Sequence, residues 1–190
     1  MSAGALRRRV HGTHAAPGTG VSRRPVHGTS GALVRRPPGV AIDSGGLAKG
    51  LCADLLAEAL AGRPSYGVDC AGDLRIGGTA GLPRTVHVTS PLDGRPLHAL
   101  QVTSGGVATS GIARRAWLDA RGRPGHHLLD PATGRPAYTG LLQVTALART
   151  ALGAEVRAKA ALLSGPEGAH AWLPDGGVVV HEDGRHEVLH

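Results

Sequence analysis

The sequence predicts an α+β domain, mostly antiparallel sheet with two main helices. Segments of strand character outnumber helical ones, and most neighbouring strand segments are joined by short Gly, Asp or Pro turns. The 190 residues suit one domain with a real core. With no Phe, two Trp and two Tyr, that core must be built from Ala, Val and Leu.

Residues 1–38 read as a disordered, basic, Gly/Pro/Arg-rich tail closed by Pro37-Pro38, and residues 39–190 as the folded domain. Val40-Ala41-Ile42-Asp43 reads as a short strand, turned by Ser44-Gly45-Gly46. Leu47 to Ala61 is the clearest helix. Leu47, Leu51, Leu55 and Ala59 recur every four residues beside Cys52, Leu56 and Leu60, one broad apolar stripe expected to face the core. Gly62 and Pro64 stop it.

Tyr66–Cys70 and Leu74–Ile76 read as strands around Ala71-Gly72-Asp73, and Val86–Thr89 and Leu97–Thr103 as an antiparallel pair. Val107-Ala108 reads as a short strand, while Ile112–Leu118 fits either a helical turn or a strand. Leu141–Leu147 reads as a strand and Thr150–Leu163 as the second helix. A short helix around Ala169–Leu173 follows, then a hairpin of Val178–Val180 and Glu187–Leu189.

The net charge of +7 sits at one end of the chain. Residues 1–40 hold seven Arg and no acid; taking these from the 21 basic residues leaves 14, against 14 acidic ones. The body is therefore formally neutral, and no specific nucleic-acid binding is expected of it. No apolar run is long enough to span a membrane. Arg7–Arg9 is followed by no apolar stretch, so no secretory signal is expected. Cys52 and Cys70 form no CxxC pair and read as buried thiols, consistent with a reducing, cytoplasmic compartment.

Five constellations carry possible chemistry. Asp43-Ser44-Gly45-Gly46-Leu47-Ala48-Lys49-Gly50 joins a glycine turn to a helix start, either a seat for phosphate or a helix cap. It satisfies neither a Walker A loop nor GxGxxG. Asp73 is either a ligand contact or a turn residue. Thr109 and Ser110 offer hydroxyls to a nucleotide or cap the following segment. Gly125-His126-His127-Leu128-Leu129-Asp130-Pro131-Ala132-Thr133-Gly134-Arg135-Pro136 is a polar loop with rigid corners, by residue types alone more often a surface turn than a site, in which His127 suits a general base or metal ligand. Glu155 and Lys159 form an i,i+4 pair of the routine surface kind.

In this order these segments, with Ala71-Gly72-Asp73, Ala108-Thr109-Ser110-Gly111 and the Ala154-Glu155 helix start, resemble the ApbE-like flavin transferases over roughly residues 40–181. That region is the C-terminal part of the family's domain. The resemblance implies an ApbE-like fold that binds FAD and Mg2+. It implies FAD:protein FMN transfer: the FMN half of FAD moves to a Ser or Thr hydroxyl of an acceptor protein and AMP is released. Asp43, Lys49, Asp73, Thr109 and Ser110 would lie near the FAD, Leu128 against the flavin nucleotide, and His127 would be the base. The Gly46 carbonyl, Glu155 and Lys159 fall at metal-ligand positions. There the chain departs from the family, which usually has Asp and Thr in place of Glu155 and Lys159; an ammonium cannot ligate magnesium and repels it. Residues 1–38 resemble nothing in the family pattern. The alternative is an inactive flavin-binding module that needs a partner chain.

Overall fold

The computed structural model describes residues 34–190, in two compact units that meet in sequence at Asp43 and Ser44. In the first unit the strand expected at Val40–Asp43 does not form. A turn at Pro38-Gly39 returns Val40 N–H to the Pro37 carbonyl at 3.3 Å, and the Arg36 guanidinium meets the Val40 carbonyl. An extended segment becomes a strand only where a neighbouring strand takes its amides in a ladder, and no strand among the described residues includes this segment.

The second unit is built on a six-stranded sheet of order β1-β2-β5-β8-β9-β10, antiparallel throughout. Its strands are β1 (Tyr66–Cys70), β2 (Asp73–Gly77), β5 (Gly105–Gly111), β8 (Leu141–Ala148), β9 (Gly177–His181) and β10 (His186–Leu189). Two hairpins stand beside it: β3 (Arg84–Thr89) with β4 (Pro96–Val102), and β6 (Ala116–Leu118) with β7 (Pro124–His126). Ile112–Leu118, ambiguous in sequence, thus ends in a strand. The helices are α1 (Ala48–Glu58) and α2 (Ala151–Ala169). This is the α+β class expected.

Alternation along the strands sorts the core into two layers. Val144, Ala146 and Val179 meet Ala158, Ala161 and Leu162 of α2 on one face. On the other, Ile76, Val107, Val178 and Val180 meet Val88, Leu100 and Val102 of the β3–β4 hairpin. α2 bends at Gly165, whose φ is 71°, just before Pro166. The helix read from sequence to Leu163 thus continues past this bend to Ala169.

α1 presents the opposite face to the one expected. Gly50, Ala53 and Ala57 are buried, whereas Leu47, Leu51, Leu55 and Leu56 are 45–55% exposed. The cause is close approach to α2: a Cβ built on Gly50 would lie 2.7 Å from the Ala151 carbonyl and the Leu152 backbone. Only small side chains fit that seam. Cys52 follows the leucines outward and is exposed, and Cys70 is half-buried, so neither is the buried thiol expected.

The two helices cap each other. Leu47 is the N-cap residue of α1 and makes no side-chain cap bond, so the cap expected from Asp43 or Ser44 is not used. The amide of Gly50, in the first turn, instead donates to Glu155 Oε2 of α2 at 2.8 Å. Reciprocally, Asp54 of α1 accepts the Ala151 and Leu152 amides that open α2, at 2.9 and 3.0 Å. Thr150 completes that end by accepting Gly153 N–H at 3.0 Å.

Two substitutions test these points. Gly50→Ala forces the helices apart and is expected to destabilise the fold by about 1–3 kcal/mol in urea unfolding. Ala71 sits with φ 53° beside Gly72 (φ 92°) in the β1–β2 turn, a conformation that disfavours a Cβ. Ala71→Gly should therefore raise stability by roughly 0.5–1 kcal/mol, seen as a higher Tm.

Candidate functional site

Four charged groups converge where the start of α1 meets α2 and the start of β2. Lys49 Nζ lies 2.9 Å from Asp73 Oδ2, and Lys159 Nζ lies 2.8 Å from Glu155 Oε1. The carboxylates are each 1% exposed, while the lysine side chains keep 31% and 21% of their surface. The acids therefore lie at the bottom and the ammonium groups cover them. Asp73 points to the helix side of the sheet because its strand neighbour Ile76 belongs to the opposite layer. Its Oδ2 contacts Lys49 without a hydrogen bond of good geometry. Burial pushes the Asp73 carboxyl above the ordinary range, and Glu155 adds to the push, with Lys49 pulling it back.

Glu155 is no routine surface acid. It takes one amide of α1 and one ammonium of its own helix, on different oxygens. The i,i+4 spacing is correct, but the pair sits at a buried helix junction.

His127 follows β7 and is exposed, while the preceding His126 is 1% exposed. Ala116 pairs with His126 across the β6–β7 ladder, so the next residues outward, Arg115 and His127, face each other. The His127 imidazole is held below its ordinary pKa. Partial desolvation is the first cause, followed by Arg115, His126, Lys159 and Lys49. Each of these charged neighbours is basic. Arg115, which the sequence reading did not single out, belongs to this face; the signal that finds it is its register opposite His127.

The other expected positions lie as follows. Gly46 is exposed in the turn before α1, and Asp43, also exposed, ends the preceding unit. Ser110 is 7% exposed and shares the helix face of β5 with Ala108. Thr109 faces the opposite layer, where its hydroxyl meets that of Thr145 at 2.8 Å. The two hydroxyls therefore do not point to one side. Leu128 is 6% exposed and packed in the core with Ile112, Leu141 and Leu162. Asp130 closes its own turn, accepting Ala132 N–H at 2.9 Å and the Thr133 hydroxyl at 2.8 Å, while Gly134 takes the positive φ (66°) expected of it.

A divalent ion does not fit these donors. Both oxygens of Glu155 are engaged, one of them by an ammonium, and Lys159 has no lone pair to give. Among the described residues no three His, Cys, Asp or Glu side chains are arranged to hold a metal. An anion fits better: ammonium and guanidinium groups and a first helical turn border one face.

Comparison with known proteins finds relatives of this chain. The ApbE family model matches residues 9–180, beginning inside the segment read from sequence as a tail. An FAD:protein FMN transferase of Escherichia coli K12 is 32% identical over 152 residues, which is 76% of this chain and 42% of that protein. One from Vibrio cholerae is 28% identical over 155 residues, 78% of this chain and 46% of that protein. The solved ApbE protein of Thermotoga maritima superposes with a TM-score of 0.70 at 31% identity, over 83% of this chain and 53% of that one. The apo flavinyl transferase ApbE of Pseudomonas stutzeri gives 0.62 at 26% identity, over 77% and 49%. This chain thus spans about half the length of the relatives it matches. On the extent of the family match and on the shared fold, the chain belongs to the ApbE family.

Proposed function

We propose that this chain carries out FAD:protein FMN transfer, with FAD as donor and a Ser or Thr hydroxyl of an acceptor protein as recipient. The observation that carries the reading is the face shared by His127, Arg115, Lys49 and Lys159, in a chain whose relatives are named for that activity. The acceptor oxygen attacks the FMN phosphorus, the phosphoanhydride bond to AMP breaks, and AMP departs. The hydroxyl proton passes to the His127 imidazole. That ring is suited to the task because its pKa is depressed, which keeps it neutral and able to accept at lower pH than a free histidine. Lys49 and Lys159 face the diphosphate, and Asp73 and Glu155 hold them in place from below. Gly46 and Ser110 are proposed to border the dinucleotide. Thr109 and Leu128 support the site from the sheet and the core.

A second reading is favoured by one observation. The outward leucines of α1 are an exposed apolar face. On that reading the chain binds flavin and transfers it only when a partner chain covers this face. FAD binding without AMP release from the isolated chain selects this reading; AMP release selects the first.

Two measurements test the role of His127. AMP release from FAD, followed by chromatography, should fall by about 10²–10⁴-fold in His127→Ala, with FAD binding retained. The acid limb of the same rate against pH should lie below 6.5, the ordinary histidine value. Removing a neighbouring positive charge relieves the imidazolium, so Arg115→Gln should move that limb upward. A native limb at or above 6.5 would count against His127 as proton acceptor.

A further inference from the structure

The chain meets its ligand with fixed cations where a divalent ion does not fit. Lys159 Nζ occupies one oxygen of Glu155, and Gly50 N–H occupies the other. Each lysine has three N–H donors and contacts a single carboxylate oxygen, so donors remain for a ligand. The carboxylates are buried and the ammonium groups are not, which turns positive charge outward. Ladder register adds the exposed Arg115 guanidinium opposite His127. Two ammonium groups stand over two carboxylates, and Arg115 adds a third positive charge beside His127. A cation arriving there meets repulsion before it reaches an acid, whereas a diphosphate meets donors.

We propose that Lys159, with Lys49 and Arg115, forms a metal-independent site for the diphosphate of a flavin dinucleotide. The site binds that ligand equally well with and without magnesium. The inference rests on the FAD reading above and adds to it that the counter-charge is built into the chain. A purely structural role for the Glu155–Lys159 pair would require only that the pair hold α1 to α2. It would leave ligand affinity indifferent to the ammonium.

The test is FAD binding to the full chain, by fluorescence quenching, in excess EDTA and in excess magnesium. The dissociation constant is expected to be the same in both. Lys159→Gln, checked for folding by circular dichroism, should weaken binding about 10- to 100-fold in both conditions. Lys159→Arg, which keeps the charge, should lose less. Binding that tightens tenfold or more with magnesium in the native chain overturns this inference and leaves the FAD reading standing. Unchanged affinity in folded Lys159→Gln also overturns it. Absence of FAD binding in both conditions overturns the FAD reading itself. The native comparison decides alone if the variant does not fold.

Discussion

Glu155 of α2 receives an amide from α1, and Asp54 of α1 receives two amides from α2. This exchange satisfies first-turn donors that a helix cannot satisfy itself. It also fixes the seam between the helices, which is narrow enough to need Gly50. Lys49 follows from it directly, being the residue before Gly50. Lys159 follows as well, one turn beyond Glu155. The positions of both ammonium groups are thus consequences of the helix contact. A carboxylate removed from this exchange would leave buried donors without partners, a cost in the range of 1–3 kcal/mol for each.

The same exchange explains how the chain tolerates two buried acids. An ionised carboxylate with no partner in a core is strongly unfavourable. Glu155 has an amide and an ammonium, and is well satisfied. Asp73 is less so: its Oδ2 meets Lys49 as an ion pair without a well-aligned hydrogen bond, and burial lifts its carboxyl against the pull of Lys49. The less satisfied acid lies beneath the more exposed lysine. Lys49 is therefore the less constrained of the two cations, and Lys159, anchored to a fully engaged carboxylate, the more fixed.

Much of the fold could be read locally. Tyr66–Cys70 and the Val178–Val180 hairpin follow from short-period patterns bounded by turn residues, and those signals need no distant partner. The order of motifs also identified the family. What failed depended on partners far along the chain. Helical periodicity marks an apolar stripe on α1 but does not say which side meets α2. The side chosen was set by Gly50, Ala53 and Asp54, and the leucines went outward. Val40–Asp43 has strand character but belongs to no sheet among the described residues. Neither Asp54 nor Arg115 stands out in sequence, because the role of each depends on a distant partner, α2 for Asp54 and the β6–β7 ladder for Arg115.

The two adjacent histidines show how strand alternation divides roles that composition cannot. His126 ends β7 pointing inward, where it meets Tyr138 edge to face at 4.8 Å with rings inclined at 79°. Neither of its ring nitrogens has a hydrogen-bond partner; the Ala137 backbone approaches without making one. Burial holds this imidazole below its ordinary pKa, so it stays neutral and acts as an aromatic body in the core. One residue on, the backbone turns His127 to the face that carries Arg115, Lys49 and Lys159. Both rings are kept neutral, but by different means. Desolvation alone depresses the inner one, while the outer one also feels the surrounding cations. Only the outer ring can then exchange a proton with a ligand. A shift of register by one residue would exchange the two and place the unpartnered ring on the cationic face.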